Sequence, residues 1–471
     1  MILSLAFCLS TQITFRPGSK EEYLSAQFHD KNQKGNSLSE SAPKKPSKKA
    51  GFLGRQRGNK RSQRASDWTP YFPYQPITGY VDVYDQKGNS MFYWLSPARE
   101  NPDTAPLIIW LEGGPGGSSV SSLFIYLGPL EVKDYPFAGE KAKIRKIAWN
   151  QKAHVVFPDY PIGVGFSTNT QEHSVFTAKD VKNQMLRFYE GFLKNHPEFK
   201  GRPVYVAGES YGGHSVPYMA GALKYSNNTD INLKGIFITS GFVNGADCYN
   251  SYPEFAVLNK KYTKITESQY TEFSKLRDLC VHRLDIGPNP RYQASLVHSC
   301  DVSYYYKMLS EFAVKNPSFT PYYMPGGHED DQTFVQFLNN YGVQEAINVR
   351  KNTYYPANFT MFYQMWNTDI FQDSSPIIGR LLDDGVKAVI VDDELDFICN
   401  YQQAEASISQ MKWSGKQGWA KAERRPCEYG LCKEYKNLKE IRVPGAGHGI
   451  SWYKPQVGLD IINQLIFGDS D

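Results

Sequence analysis

VYVAGESYGGHSVP, residues 204–217, decides how the rest of the chain is read. Val204–Ala207 is apolar enough for a buried strand. Gly208-Glu-Ser-Tyr-Gly212 follows at once, ahead of a stretch that can be helical. G-x-S-x-G between a strand and a helix is the pattern of a tight turn that exposes a serine oxygen. Gly208 and Gly212 are expected because neighbouring backbone would pass too close for a Cβ. The helix start beyond Ser210 favours negative charge beside it. A glycine-rich turn without chemistry can carry the same letters, so the surroundings must decide.

Similar runs recur along the chain. APLIIWLEGG (105–114), HVVFPDYP (154–161), GIFITS (235–240) and KAVIVDD (387–393) are short and nearly all apolar. Strands buried on both faces read this way. ITGYVDVYDQKGNSMFYWLS (77–96) alternates around Gly88-Asn89 and predicts a hairpin. Ala178, Val181, Met185, Phe188, Tyr189 and Phe192 share one helical face, and Val457–Phe467 predicts a terminal helix. Strands alternating with helices predict an open α/β sheet over 67–471. From 247 to 345 the chain is Tyr-rich with amphipathic patches and no buried strand, which predicts a helical insertion over one end of the sheet.

A serine alcohol needs a base, and the base needs an acid to hold it. Behind a strand–turn–helix serine the partners follow in the order Asp, then His. Asp396 in VDDELDFICN lies just past one apolar run, and His448 in VPGAGHGIS lies in a glycine-rich loop. His448 is the best placed of the nine histidines; His214, four residues after Ser210, is expected on the helix and directed elsewhere. WLEGGPGGSS (110–119) follows a buried run with four glycines, whose N–H groups can approach a developing oxyanion. It lacks the Gly-Lys-Ser/Thr ending of a phosphate-binding loop.

The net charge of +4 over 471 residues is local in origin. Residues 44–64 hold nine Lys or Arg and no acid, and removing them leaves the remainder at −5. Such a run reads as a solvated tail or removable pro-segment within a 1–66 leader, and no nucleic-acid-binding module accompanies it. MILSLAFCLSTQITF can serve as a secretion signal, and no stretch is long and apolar enough to span a membrane. Cys280 and Cys300, and Cys427 and Cys432, with acceptor sequons at Asn227 and Asn358 on expected surface loops, point to a secretory route. No cysteine or histidine spacing suits zinc, and no metal or cofactor is expected.

Taken together, ITGYVDV, WLEGGPGGSS, DYPIGVGFS (159–167), GESYGGHSVP, FLNNYGVQEAINV (337–349), DFICN (396–400) and GAGH (445–448) resemble the serine carboxypeptidases. That family includes cathepsin A and yeast carboxypeptidase Y, and the resemblance is nearest its vitellogenic-like subgroup. It implies an α/β-hydrolase fold with a helical cap, and Ser210, Asp396 and His448 as triad. It also implies an oxyanion hole from the N–H groups of Gly114 and Tyr211, and a grip on the substrate's terminal carboxylate by Trp110, Glu112, Gly113 and Glu209. Cys399 matches a buried free thiol. Further implications are peptide substrates with a free C-terminus, a lysosomal, vacuolar or secreted glycoprotein, and in some members a homodimer.

Departures matter. Glu112 stands where the family has Asn or Gln, and an ionised Glu cannot donate a hydrogen bond. With Glu209 and the substrate carboxylate it brings three acids together, so a proton must be held there and activity is expected in acid. The family's Gly-Asp reads Asp393-Glu394, and its Met-Val-Pro reads Gly449-Ile450-Ser451. Acyl transfer or ester cleavage on the same scaffold, and an inactive binding or protective partner, stay open as alternatives.

Overall fold

Side chains without polar groups can be buried on both faces of a sheet, and the apolar runs use this freedom. The computed structural model describes residues 67–85, 88–133, 141–170, 175, 177–284, 296–297, 299–327, 333–350 and 353–468. The signal-like start and the 44–64 run lie outside them. The strands are β1 (Ile77–Asp82), β2 (Ser90–Ser96), β3 (Leu107–Leu111), β4 (Leu130–Glu131), β5 (Lys143–Ile144), β6 (His154–Pro158), β7 (Pro203–Glu209), β8 (Asn232–Thr239), β9 (Lys387–Asp393), β10 (Arg425–Cys427), β11 (Gly430–Tyr435) and β12 (Leu438–Val443).

β4 and β5 form a separate pair; the other ten make one sheet in the order β1-β2-β6-β3-β7-β8-β9-β12-β11-β10. The six central strands from β6 to β12 are parallel, and both margins are antiparallel. Alternation sorts each central strand onto two cores. Leu107, Ile109, Leu111, Val204, Val206, Ala388 and Ile390 pack on one side, with Val181, Met185, Phe188 and Phe192 of the helix Ala178–Asn195. Ile108, Trp110, Tyr205, Ala207, Val389 and Val391 pack on the other, under Leu459, Ile461, Ile462 and Leu465 of the helix Pro455–Phe467. The first helix starts at a reciprocal Thr177–Asp180 capping box.

The insertion is larger than the sequence suggests. No strand interrupts the described residues between Thr239 and Lys387, so the helical stretch continues past 345 to the helix Ser375–Asp383. Its later part is not a cap. Phe334, Phe337, Leu338, Val343 and Ile347 pack into the core against the sheet with Trp94 and Phe124. Cys280–Cys300 joins the helix Glu267–Leu284 to the helical segment at residues 299–306 within the insertion, and Cys427–Cys432 closes the β10–β11 hairpin. Cys248 and Cys399 are buried free thiols.

The two sequons differ. Asn227 is exposed in a bend after the helix Gly212–Lys224. Asn358 is not on an open loop: its Oδ1 caps the helix Phe359–Asp369, and its amide nitrogen donates to the Gly163 carbonyl at 3.1 Å. The nitrogen that would carry a sugar is already in use.

Candidate active site

Parallel strands deliver their C-terminal ends to one edge, where loops can meet. Gly113 and Gly114 leave β3 there, Ser210 leaves β7, Asp396 follows β9 and His448 follows β12. Ser210 has φ 59°, the strained left-handed backbone of an exposed-serine turn. A Cβ on Gly208 would come within 2.7 Å of the Leu111 carbonyl oxygen, so glycine is required. Gly212 is a different case, because a Cβ there would lie 3.5 Å from the Leu111 carbonyl oxygen, an ordinary contact. The second indispensable glycine is Gly213, where an added Cβ would come within 2.5 Å of the Phe242 backbone.

His448 Nδ1 lies 2.8 Å from Asp396 Oδ2, and Asp396 Oδ1 accepts from the Cys399 N–H at 3.1 Å. The His448 N–H donates to Tyr322 O at 2.7 Å, which fixes the loop. Among the described residues Nε2 has no hydrogen-bond partner, and Cys399 lies beside the Ser210 side chain. Burial pushes the Cys399 thiol well up, helped by the Asp396 charge, so it stays a neutral thiol beside the serine. Both ring nitrogens of His214 face carbonyl oxygens, of Phe242 and Gln372, away from this cluster. One ligand atom each from Asp396, Cys399 and His448 lies within 4.8 Å of the others, the only metal-like grouping among the described residues.

Beside Ser210 the chain from β3 passes very close: a Cβ on Gly113 would sit 2.6 Å from Ser210 Cβ. Tyr211, at the N-cap of the following helix, has no side-chain cap to occupy that helix start. Gly114 has φ 120°.

The acids divide by their partners. Three donors converge on Glu112 Oε2: the Tyr126 hydroxyl at 2.8 Å, the Trp110 indole at 3.3 Å, and the Ser122 hydroxyl. Trp110 is therefore not a surface contact for substrate. It is fully buried, and its one polar atom points to Ser122 and Glu112. Glu209 is 6% exposed, and its Oε2 has no partner among the described residues. Burial, then the charges of Glu112, Asp393 and Asp396, hold its carboxyl well above the usual range.

Asp393 and Glu394 brace the loop that carries His448. Asp393 accepts from Ser240 Oγ at 2.7 Å, and that oxygen accepts from the Gly449 N–H at 3.1 Å. Glu394 accepts from the Gly445 N–H at 3.0 Å. Sequence reasoning missed Ser122, Tyr126 and Ser240, whose hydroxyls carry no motif of their own.

The family model for serine carboxypeptidases matches residues 68–468. The chain belongs to this family. Among curated serine carboxypeptidases, the venom serine carboxypeptidase of Apis mellifera is 29% identical over 415 residues, covering 82% of this chain and 83% of that protein. Carboxypeptidase Y of Candida albicans is 28% identical over 417 residues, covering 83% and 73%. The crystal structure of Kex1(delta)p, a prohormone-processing carboxypeptidase from Saccharomyces cerevisiae, superposes with a TM-score of 0.71. It covers 85% of this chain and 95% of that one at 20% identity, a likeness of fold. The fold is that of an α/β-hydrolase, and among the described residues only helices lie between β8 and β9. No helix among the described residues is long and apolar enough to cross a membrane.

Proposed function

We propose that the chain hydrolyses the last peptide bond of peptides, in acid, through an acyl-enzyme on Ser210. The observation that carries this is the His448–Asp396 contact of 2.8 Å at the same sheet edge as the strained Ser210 turn. Asp396 holds the imidazole by Nδ1, which leaves Nε2 as the basic nitrogen. When the Ser210 hydroxyl meets Nε2, it gives up its proton and attacks the peptide carbonyl. Backbone N–H groups of Gly114 and Tyr211 receive the oxyanion, each such donor contributing about 3 kcal/mol. His448 then passes the proton to the leaving amine, and water resolves the acyl ester.

Acid dependence follows from Glu209. Its raised carboxyl is neutral and able to donate below its own titration and becomes a second negative charge above it. A free C-terminal carboxylate entering beside Glu112 is therefore repelled more strongly as pH rises. Two disulfides and the exposed Asn227 support a secretory destination, in a lysosome or vacuole or outside the cell.

The test is release of the terminal amino acid from blocked dipeptides across pH, comparing the parent with Ser210→Ala. Serine-dependent release that declines towards neutrality is expected. No release at any pH would favour a catalytically silent binding partner instead.

A further inference from the structure

We infer that Asp369 is a positioning residue for the nucleophile turn, acting on catalysis through the hydroxyl of Tyr211. This inference rests on the peptidase reading above and adds to that reaction a residue outside the triad.

Asp369 ends the helix Phe359–Asp369 and is fully buried. A buried carboxyl is costly unless hydrogen bonds hold it. Its Oδ2 accepts from the Tyr211 hydroxyl and, at 3.1 Å, from the Ala178 N–H at the start of the helix Ala178–Asn195. Burial, helped by Asp369, holds the Tyr211 phenol well above its usual range, so the hydroxyl keeps its proton and donates. The ring is held on its face as well. It stacks on the His214 ring with 5.0 Å between centroids and 5° between planes. Face and tip together leave the Tyr211 side chain one position.

That position matters because Tyr211 directly follows Ser210. Tyr211 is the N-cap of the helix Gly212–Lys224, so its N–H is among those that a helix start leaves without an internal acceptor. At a strand–turn–helix serine, this is the N–H that can meet the oxyanion. Ser210, at φ 59°, is in strained backbone, which persists only where the surroundings determine it. The Ser210 carbonyl accepts from the Gly213 and Phe242 N–H groups at 2.9 and 2.7 Å. Those bonds fix one end of the peptide unit joining 210 to 211, and Asp369 fixes the other through the tyrosine side chain. Residues just beyond Asp369 reinforce the grip: Gln372 O faces His214 Nε2 at 2.9 Å, and Ser374 Oγ donates to Gly213 O at 2.7 Å. Of these three contacts, the one from Asp369 reaches the residue beside the nucleophile.

Without the bond to Asp369, the tyrosine can shift and carry its N–H with it. A displaced oxyanion donor weakens the transition state and leaves ground-state binding in place, so the loss falls on kcat.

Tyr211→Phe, which removes only the hydroxyl, is compared with the parent, with Asp369→Ala and with the double variant. A blocked dipeptide gives kcat and KM, and a fluorophosphonate gives the rate of Ser210 labelling. Each kcat is referred to the concentration of serine that takes up label, so a smaller folded fraction does not count as slower turnover. For Tyr211→Phe the expected kcat is about tenfold or more below the parent, with KM within about threefold and labelling slowed alongside. The double variant should be no slower than Asp369→Ala, because its second change removes a bond already lost. Tyr211→Phe with the parent's kcat and labelling rate overturns the inference. So does a loss confined to KM, or losses that multiply in the double variant. A parent labelled at Ser210 that releases no amino acid overturns the peptidase reading, and the labelling rates still decide the role of Asp369. A parent that takes no label overturns both. Where Asp369→Ala does not fold, Tyr211→Phe decides alone.

Discussion

Glu209 and Glu112 differ by what surrounds them. One is buried with an oxygen left over; the other is half-buried with three donors on one oxygen. The raised carboxyl of Glu209, driven first by burial and then by the Glu112 charge, loses its proton only as pH climbs above the ordinary carboxylate range. Replacing it with Gln keeps position 209 neutral at every pH. For a free-acid peptide, the high-pH limb of kcat/KM should therefore move upward in Glu209→Gln, and a limb that stays in place would assign the acid dependence to another group. Asp396 acts differently, through the tautomer and orientation of His448. Asp396→Asn is expected to lower kcat by about 10⁴-fold with little change in KM, measured by steady-state kinetics.

At the scale of elements, the β7 turn is the most exacting part of the chain. Gly213 faces backbone that cannot yield, whereas a methyl group at Gly212 meets only ordinary contacts. Gly213→Ala should therefore destabilise by roughly 1–3 kcal/mol, as overpacking does. Gly212→Ala should leave stability within about 1 kcal/mol of the parent. Chemical denaturation of the two variants separates them, and equal losses would contradict the geometry. The sequence could not tell these glycines apart, because the clash involves Phe242, which arrives from the loop after β8. For the same reason it could not show Ser240 bridging Asp393 and Gly449. β3, β7 and β9 were legible because a strand buried on both faces must be apolar at nearly every position. β10 to β12 were not, since this margin is partly exposed and carries charges such as Arg425, Lys433 and Glu434. Its one deeply buried acid, Glu440, is held by Arg424 at 2.9 Å, a pairing no local pattern announces. The insertion boundary failed similarly. Phe334–Ile347 looked like cap helix in sequence, but its apolar side is spent on the sheet.

For the whole molecule, buried acids set the response to pH. Burial holds the carboxyls of Glu209, Asp392 and Asp393 well above their usual range. A group whose folded value is raised binds its proton more tightly in the native state. Its contribution to stability is complete below the unfolded value, about 4 for a carboxyl, and is lost as pH rises through the folded value. The melting temperature should accordingly fall as pH is raised from about 4 towards neutrality. A flat or rising Tm over that range would show that these acids are compensated elsewhere. The sheet's larger role is to bring the ends of β7, β9 and β12 together, so that residues 210, 396 and 448 act as one group. Labelling by a fluorophosphonate, with the modified peptide mapped by mass spectrometry, tests that convergence most directly. The account predicts one adduct, on Ser210, forming at least about 100-fold more slowly in His448→Ala. No adduct in the parent, an adduct on another residue, or an equal rate in His448→Ala would contradict it.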